Sequence, residues 1–211
     1  GNRTTSRFNT QGYLIAQTDA LGQPTSFERE VGTNLLLSTT DPLGRVTRFG
    51  YDAAGNGTAI IDPQGNTRSF TYDPTFNRLT SLTDPLGNVT RFAYDPNGNL
   101  TAITDPLGAT SQIAYNQFGL PVRTTDPVGN VTRFAYDGTG NLTTITDPLG
   151  NNSSRTYDVV SRLLTQTDPR GKVTSLAYDP LNRLAQLTDA LSGLTRFTYD
   201  GNGNLLTVTD A

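Results

Sequence analysis

A phrase of 21 residues recurs along nearly the whole chain, and no other feature limits the possible folds so tightly. Its clearest copy, starting at Thr83, reads T-D-P-L-G-N-V-T-R-F-A-Y-D-P-N-G-N-L-T-A-I. The first Asp returns as Asp19, Asp41, Asp62, Asp84, Asp105, Asp126, Asp147, Asp168, Asp189 and Asp210, in steps of 22, 21, 22 and then 21. A fixed period of this size marks an array of supersecondary units, each packed mainly on its neighbours. Residues 1–211 therefore read as a single continuous array of about ten repeats rather than one or two globular domains.

The unit itself is built from turns and short strands. Counting from the T-D Asp, a Tyr stands at plus ten as Tyr51, Tyr72, Tyr94, Tyr115, Tyr136, Tyr157, Tyr178 and Tyr199, with Arg29 as the exception. Plus eight is usually apolar (Phe49, Phe70, Phe92, Ile113, Phe134), although Arg155 breaks the run, and plus six is usually Thr or Ser. Positions two apart share one face of a strand, and these are residue types that a pleated surface favours. Two turn clusters bound the strand, D-P-L-G-N as at Asp84 to Asn88 and Y-D-P-N-G-N as at Tyr94 to Asn99. Pro presets φ in a turn, Asp hydrogen-bonds the backbone that follows, and Gly accepts a positive φ. A second strand of about five residues follows, such as Leu100 to Thr104.

Strand, tight turn, strand, tight turn predicts an all-β chain: a repeat array of β-hairpins in one long antiparallel sheet. Recurring Pro, Gly and Asn exclude helix. Roughly 20 strands at about 4.8 Å would span on the order of 95 Å. Open sheets beyond about ten strands curl, so a spiral or shell is expected, with a parallel β-solenoid as the rival. Leu100 and Ile103, three apart on the second strand, are expected on opposite faces, so that both faces carry apolar surface.

Composition removes several classes of function. There is no Cys, His, Met or Trp, so disulfides, thiolate sites and histidine-dependent triads are excluded. A net charge of −3 gives no basic footprint for nucleic acid, and no apolar stretch reaches the roughly 20 residues of a membrane span. All 17 Asp are register residues: ten follow the T-D pattern and seven the Y-D pattern, with Asn116 replacing one. Equivalent turns give equivalent environments, whereas paired-carboxylate catalysis needs two differently tuned acids at one place. Asp41, Asp62, Asp84, Asp105, Asp126, Asp147 and Asp168 therefore read, with the tyrosines, as structural repeat residues. No catalytic, cofactor-binding or metal site is expected. Calcium would need oxygen clusters, but the spacing matches neither the EF-hand nor the glycine-rich calcium repeat. Arg48, Arg91, Arg133 and Arg196 at plus seven could form an anion ladder, and more simply space charge against sheet aggregation. The aromatic columns could stack on sugars, and more simply pack the sheet. Sequons at Asn88, Asn99, Asn130 and Asn141 follow from the repeat phrase.

The Y-D dipeptide inside G-N-x-T-x-F-x-Y-D-x-x-G-N-L, recurring in register, resembles the Rhs or YD-repeat family. That family includes bacterial Rhs toxins, the cocoon-forming subunits of insecticidal Tc toxins and animal teneurins. The resemblance covers nearly all 211 residues. It implies a sheet spiralling into a hollow shell that encloses a toxic domain in the toxins and serves adhesion in teneurins. The self-cleaving aspartyl segment and variable toxin of the toxin members are not found within these residues. The resulting expectation is a non-enzymatic shell segment that encloses or presents another domain, from a secreted or cell-surface protein of bacterial origin. Alternatives are an adhesion or glycan-binding module and an extracellular fibre of stacked repeats. Expected partners are further repeats or copies of itself, an enclosed toxin domain, or a glycan. Gly1 and Asn2 fit plus three and plus four, and Asp210 and Ala211 fit zero and plus one, so the chain reads as a piece of a longer array.

Overall fold

The computed structural model describes residues 3–210, so the phase assigned to Gly1, Asn2 and Ala211 lies outside the described residues. Every element among the described residues is a strand or a turn. The chain divides into two compact units, Gly1–Thr110 and Ser111–Ala211. Unit one carries β1 (Thr5–Phe8), β2 (Leu14–Thr18), β3 (Pro24–Arg29), β4 (Leu36–Thr40), β5 (Val46–Tyr51), β6 (Gly57–Ile61), β7 (Thr67–Tyr72), β8 (Leu79–Thr83), β9 (Val89–Tyr94) and β10 (Leu100–Thr104). Unit two opens within β11 (Thr110–Tyr115) and continues through β12 (Pro121–Thr125), β13 (Val131–Tyr136), β14 (Leu142–Thr146), β15 (Asn152–Tyr157), β16 (Leu163–Thr167), β17 (Val173–Tyr178), β18 (Leu184–Thr188), β19 (Leu194–Tyr199) and β20 (Leu205–Asp210).

In each unit every strand pairs antiparallel with the next in sequence, as β7–β8, β8–β9 and β9–β10 do in unit one and β13–β14, β14–β15 and β15–β16 do in unit two. Each sheet is open and not closed into a barrel. The hairpin array expected from the turns is what forms, and the antiparallel ladders exclude a parallel solenoid.

Two kinds of hairpin alternate. The T-D hairpins, such as β8–β9 around Asp84, pair without irregularity: Ser81 faces Arg91, Leu82 faces Thr90 and Thr83 faces Val89. The Y-D hairpins each contain a β-bulge. In β9–β10, Leu100 faces Tyr94 while Ala102 already faces Ala93, so Thr101 is the extra residue. The same shift recurs at Thr80, Thr143 and Ala185.

The bulge corrects the expectation that Leu100 and Ile103 point to opposite faces. Ile103 faces Phe92 and Leu100 faces Tyr94, and Phe92 and Tyr94 share a face because they are two apart. One inserted residue restores the alternation that a spacing of three would break, which is how a bulge re-aims side chains. The aromatic residues and their leucine and isoleucine partners therefore gather on one face: Phe70 with Leu82 and Tyr72 with Leu79, Phe134 with Ile145 and Tyr136 with Leu142. The opposite face pairs mostly small and polar residues, such as Thr71 with Ser81 and Ala135 with Thr144, but it also carries apolar surface in the plus-five residues, with Val89 facing Thr83 and Val131 facing Thr125. Among the described residues no element stacks on either face within a unit, and no hydrophobic side chain is buried.

Candidate functional site: the turn caps and the tyrosine column

The turn chemistry is uniform. At Asp84 the backbone N–H donates to the Asn88 carbonyl at 2.9 Å, and the Gly87 N–H donates back to the Asp84 carbonyl at 3.0 Å. The carboxylate Oδ1 accepts the N–H groups of Leu86 and Asn88 at 2.8 and 2.9 Å, and Oδ2 accepts the Asn88 side-chain amide at 2.8 Å. Gly87 takes φ +84°, a value that L side chains rarely adopt. Asp62, Asp126 and Asp147 repeat all three carboxylate bonds. Asp41 replaces the Asn amide with an ion pair to Arg45 at 2.6 Å. Asp105 and Asp168 accept the two backbone N–H groups. Asn116, standing where the pattern has Asp, does the same with its amide oxygen at 3.0 Å. The Y-D turns use the same device at Asp52, Asp95, Asp137 and Asp200.

Donors aimed at a carboxylate stabilise its ionised form. The Asn88 amide, with the backbone N–H groups of Asn88 and Leu86, holds the Asp84 carboxyl below its usual range. The Asn141 amide, helped by the Thr139 hydroxyl and the Asn141 backbone, lowers Asp137 to about 2. These acids are fixed in the charged state. A general acid would need the opposite shift.

Two turns are one residue longer. They run from Glu30 to Leu35 and from Asp73 to Arg78, closed by Asn34 and Asn77 with φ of 59° and 52°. They account for the two 22-residue steps, since each lies inside one of them.

The tyrosines form a column of hydrogen bonds at the Y-D end of the strands. Tyr94 donates its hydroxyl to the Leu79 carbonyl at 2.9 Å. Tyr51, Tyr72, Tyr136, Tyr157, Tyr178 and Tyr199 donate to Leu36, Gly57, Pro121, Leu142, Leu163 and Leu184, at 2.8 to 3.0 Å, always 15 residues back. Tyr115 stands opposite Pro121. Each of these bonds crosses between hairpins at a point where their ladder has stopped. The last β8–β9 pair at this end is Ser81 with Arg91, and Leu79 sits at the bulge. A bulge interrupts the ladder, and the tyrosine hydroxyl supplies a donor to its carbonyl. Burial raises the Tyr136 phenol pKa, which favours the neutral donor.

Arg29, the one departure from the tyrosine column, makes the same connection. Its Nε donates to the Leu14 carbonyl, 15 residues back, at 2.9 Å, and Nη1 donates to Asn34 at 2.9 Å. Sequence reasoning missed this substitution of role. It also missed the residue four after the Y-D Asp, which ties one turn to the next. Asn56 donates to Asn77 at 3.1 Å, Asn141 to Ser161 at 3.0 Å and Arg162 to Asn182 at 2.6 Å. Arg78, Arg162 and Arg183 lie over Tyr94, Tyr178 and Tyr199 of the following repeat.

The plus-seven arginines fall on the face away from the tyrosines. Arg91 pairs with Ser81 and Thr104, and Arg133 with Arg123 and Thr146. In unit two an open hollow of about 590 Å³ is lined by Phe118, Leu120, Val122, Phe134 and Tyr136. Among the described residues no group of three or more acidic side chains is placed to hold a metal ion.

Comparison with known proteins places this geometry. No individually curated protein matches the chain. Among solved structures, a TcdB2-TccC3-TEV crystal structure has 15% identity and a TM-score of 0.76 over 98% of this chain. TcdB2-TccC3 without its hypervariable C-terminal region has 15% identity, a TM-score of 0.74 and the same 98% coverage. The Photorhabdus luminescens Tc holotoxin pore has 17% identity and a TM-score of 0.55, again over 98%. The chain spans only 12% to 14% of the length of these chains, so the likeness is one of fold over a short stretch. The RHS Repeat family matches residues 32–67, 75–110, 115–151, 157–193 and 184–211, most of the sequence. With capped turns, bulged hairpins and a tyrosine column in register with that match, the chain belongs to the RHS repeat family.

Proposed function

We propose that this array is a wall segment of an Rhs-type shell whose role is to enclose or present another domain. The observation that carries the reading is the single-layer sheet, with an aromatic face left uncovered and no buried hydrophobic side chain among the described residues. A soluble domain normally buries such a face against a second layer. A wall lends it to whatever lies beside it. The fold likeness to Tc toxin structures supports this, as do the carboxylates held ionised in their turns. On this reading the sheet curls, the chain performs no catalysis, and the parent protein is a secreted bacterial toxin. Its tyrosines and aspartates serve the wall alone, residues 1–211 act as one continuous array, and the neighbours are further repeats and an enclosed toxin domain.

The test uses the parent polypeptide. A segment that the wall encloses should resist trypsin while the repeats are intact. It should become cleavable when Phe92→Asp and Phe134→Asp place charge on the aromatic face. Equal cleavage rates with and without these changes would refute enclosure.

A further inference from the structure

In unit two one position breaks the linkage between Y-D tips. The residue four after the Y-D Asp otherwise reaches the next tip: Asn141 donates to Ser161, Arg162 to Asn182 and Arg183 to the Asp200 carbonyl. Arg162 and Arg183 also hold their guanidinium groups over the rings of Tyr178 and Tyr199, 4.8 and 4.5 Å from the ring centres. Each is paired with the carboxylate of its own turn, Asp158 at 2.5 Å and Asp179 at 2.7 Å. At the first Y-D tip of unit two, Leu120 takes the place of the arginine and Asn116 that of the Asp. Leu120 follows the same path toward the next tip, since a Cβ on Gly140 would lie 3.7 Å from its Cδ1. It carries no cation to lay over Tyr136 and no donor to bond the tip beyond. The hollow of about 590 Å³ opens at this point, walled by Leu120, Val122, Phe134 and Tyr136 and by Phe118, which is 76% exposed. That volume lies within the roughly 300–1,000 Å³ of ligand sites. Among the described residues, Asp137 is the only charged one in its wall.

We propose that this hollow is a seat for an arginine side chain of a partner polypeptide, with its guanidinium over Tyr136 as those of Arg162 and Arg183 lie over their tyrosines. The array shows in its own hairpins what fits such a place. A cation over an aromatic face is drawn by the electron-rich centre of the ring, and Phe118 and Phe134 offer further rings. The apolar stem of an arginine lies along Leu120 and Val122 while its head stays polar. The head then meets the Asp137 backbone carbonyl, the counterpart of the Asp200 carbonyl that Arg183 uses. The Asp137 carboxylate supplies the negative charge that Asn116 does not. A wholly apolar guest would desolvate that carboxylate and gain nothing from it. A lysine brings the charge but no plane to lay on the ring. Leu35 in unit one stands at the matching place, but the hollow beside it has no aromatic ring in its wall, so the seat belongs to unit two. The inference stands whether or not the array encloses another domain.

The 211-residue chain tests it, with N-acetyl-arginine methylamide as the probe and NMR as the readout. Resonances of Leu120, Phe134 and Tyr136 should move together on titration, with a Kd on the order of 1 mM. The citrulline, lysine and norleucine analogues should bind at least about tenfold more weakly. Leu120→Arg, made together with Asn116→Asp, fills the seat from within. It should weaken binding at least about tenfold while the melting temperature holds or rises. Phe118→Ser removes an exposed ring and should weaken binding with melting unchanged, which keeps the test open should the double variant fail to fold. Resonances that do not move at about 10 mM probe overturn the proposal. So does a citrulline or lysine analogue that binds as tightly, since the first has no charge and the second no plane. Tighter binding of the norleucine analogue overturns it by making the hollow an apolar site. Binding that survives in a folded double variant overturns it by placing the probe elsewhere.

Discussion

The working parts of this array are single side chains that finish hydrogen bonds the backbone leaves open. Asp137 illustrates the electrostatic side. An unfolded Asp titrates near ~3.9, and the Asn141 amide leads the groups that hold the folded one at about 2. A depressed folded pKa contributes stability that is complete above the unfolded value and is lost as pH falls through the folded one. Asp52, Asp62, Asp84, Asp95, Asp126, Asp147 and Asp200 are lowered in the same way, each chiefly by the side-chain amide four residues on. With no histidine to titrate near neutrality, urea midpoints should be flat from about pH 5 to 8 and then drop steeply between about pH 4 and 2. A midpoint that already falls between pH 8 and 6 would contradict this. The tyrosine column gives a second measurement. Tyr136→Phe removes one donor from the Pro121 carbonyl and should cost about 0.5–1.5 kcal/mol in denaturant unfolding. Arg29→Tyr should preserve stability, because either side chain can meet the Leu14 carbonyl, whereas Arg29→Ala should lower it.

At the scale of the hairpin, the bulge decides which residues cooperate, and it was invisible before the fold was known. The turns were legible because their chemistry is local: Asp, Pro and Gly at fixed offsets state the turn without reference to anything distant. The tyrosine and phenylalanine columns were legible because they follow period two. The extra residue of the bulge follows no such rule. It is Ile15, Leu37, Thr58, Thr101, Val122 or Leu164 in different repeats, so no residue type announces it. Arg29 was opaque for a related reason, since its equivalence to Tyr rests on reaching a carbonyl on the neighbouring strand. The hairpin also separates two glycines that look alike in sequence. Gly65 has φ +87° and open space where a Cβ would lie, while at Gly98, φ +81°, a Cβ would meet the Arg78 guanidinium at 2.4 Å. Gly65→Ala should cost about 1–2 kcal/mol from backbone strain alone. Gly98→Ala should cost more, because Arg78 must leave its place over Tyr94. Equal urea midpoints for the two variants would show that the stacking contributes nothing.

Across the whole molecule, the missing core should be visible calorimetrically. A globular chain of this length unfolds with a heat-capacity increment of about 12–15 cal/mol/K per residue, mostly from apolar surface newly exposed. Here no hydrophobic side chain is buried among the described residues, so the increment per residue should fall clearly below that range. Repeats that contact only their neighbours also unfold piecewise, and the van't Hoff enthalpy should be smaller than the calorimetric one. Scanning calorimetry of the isolated chain reads both quantities, and a normal increment with equal enthalpies would mean that a second layer forms in solution. The two enlarged turns, Glu30 to Leu35 and Asp73 to Arg78, carry one further implication. Each absorbs an added residue while the flanking registers stay as they are in every other hairpin. A single codon gained inside β9 would turn every later side chain of that strand over, yet the same codon gained at a Y-D tip leaves both neighbours untouched. The tips are thus where such a gene can grow, and where a foreign peptide can be grafted for display without disturbing the sheet behind it.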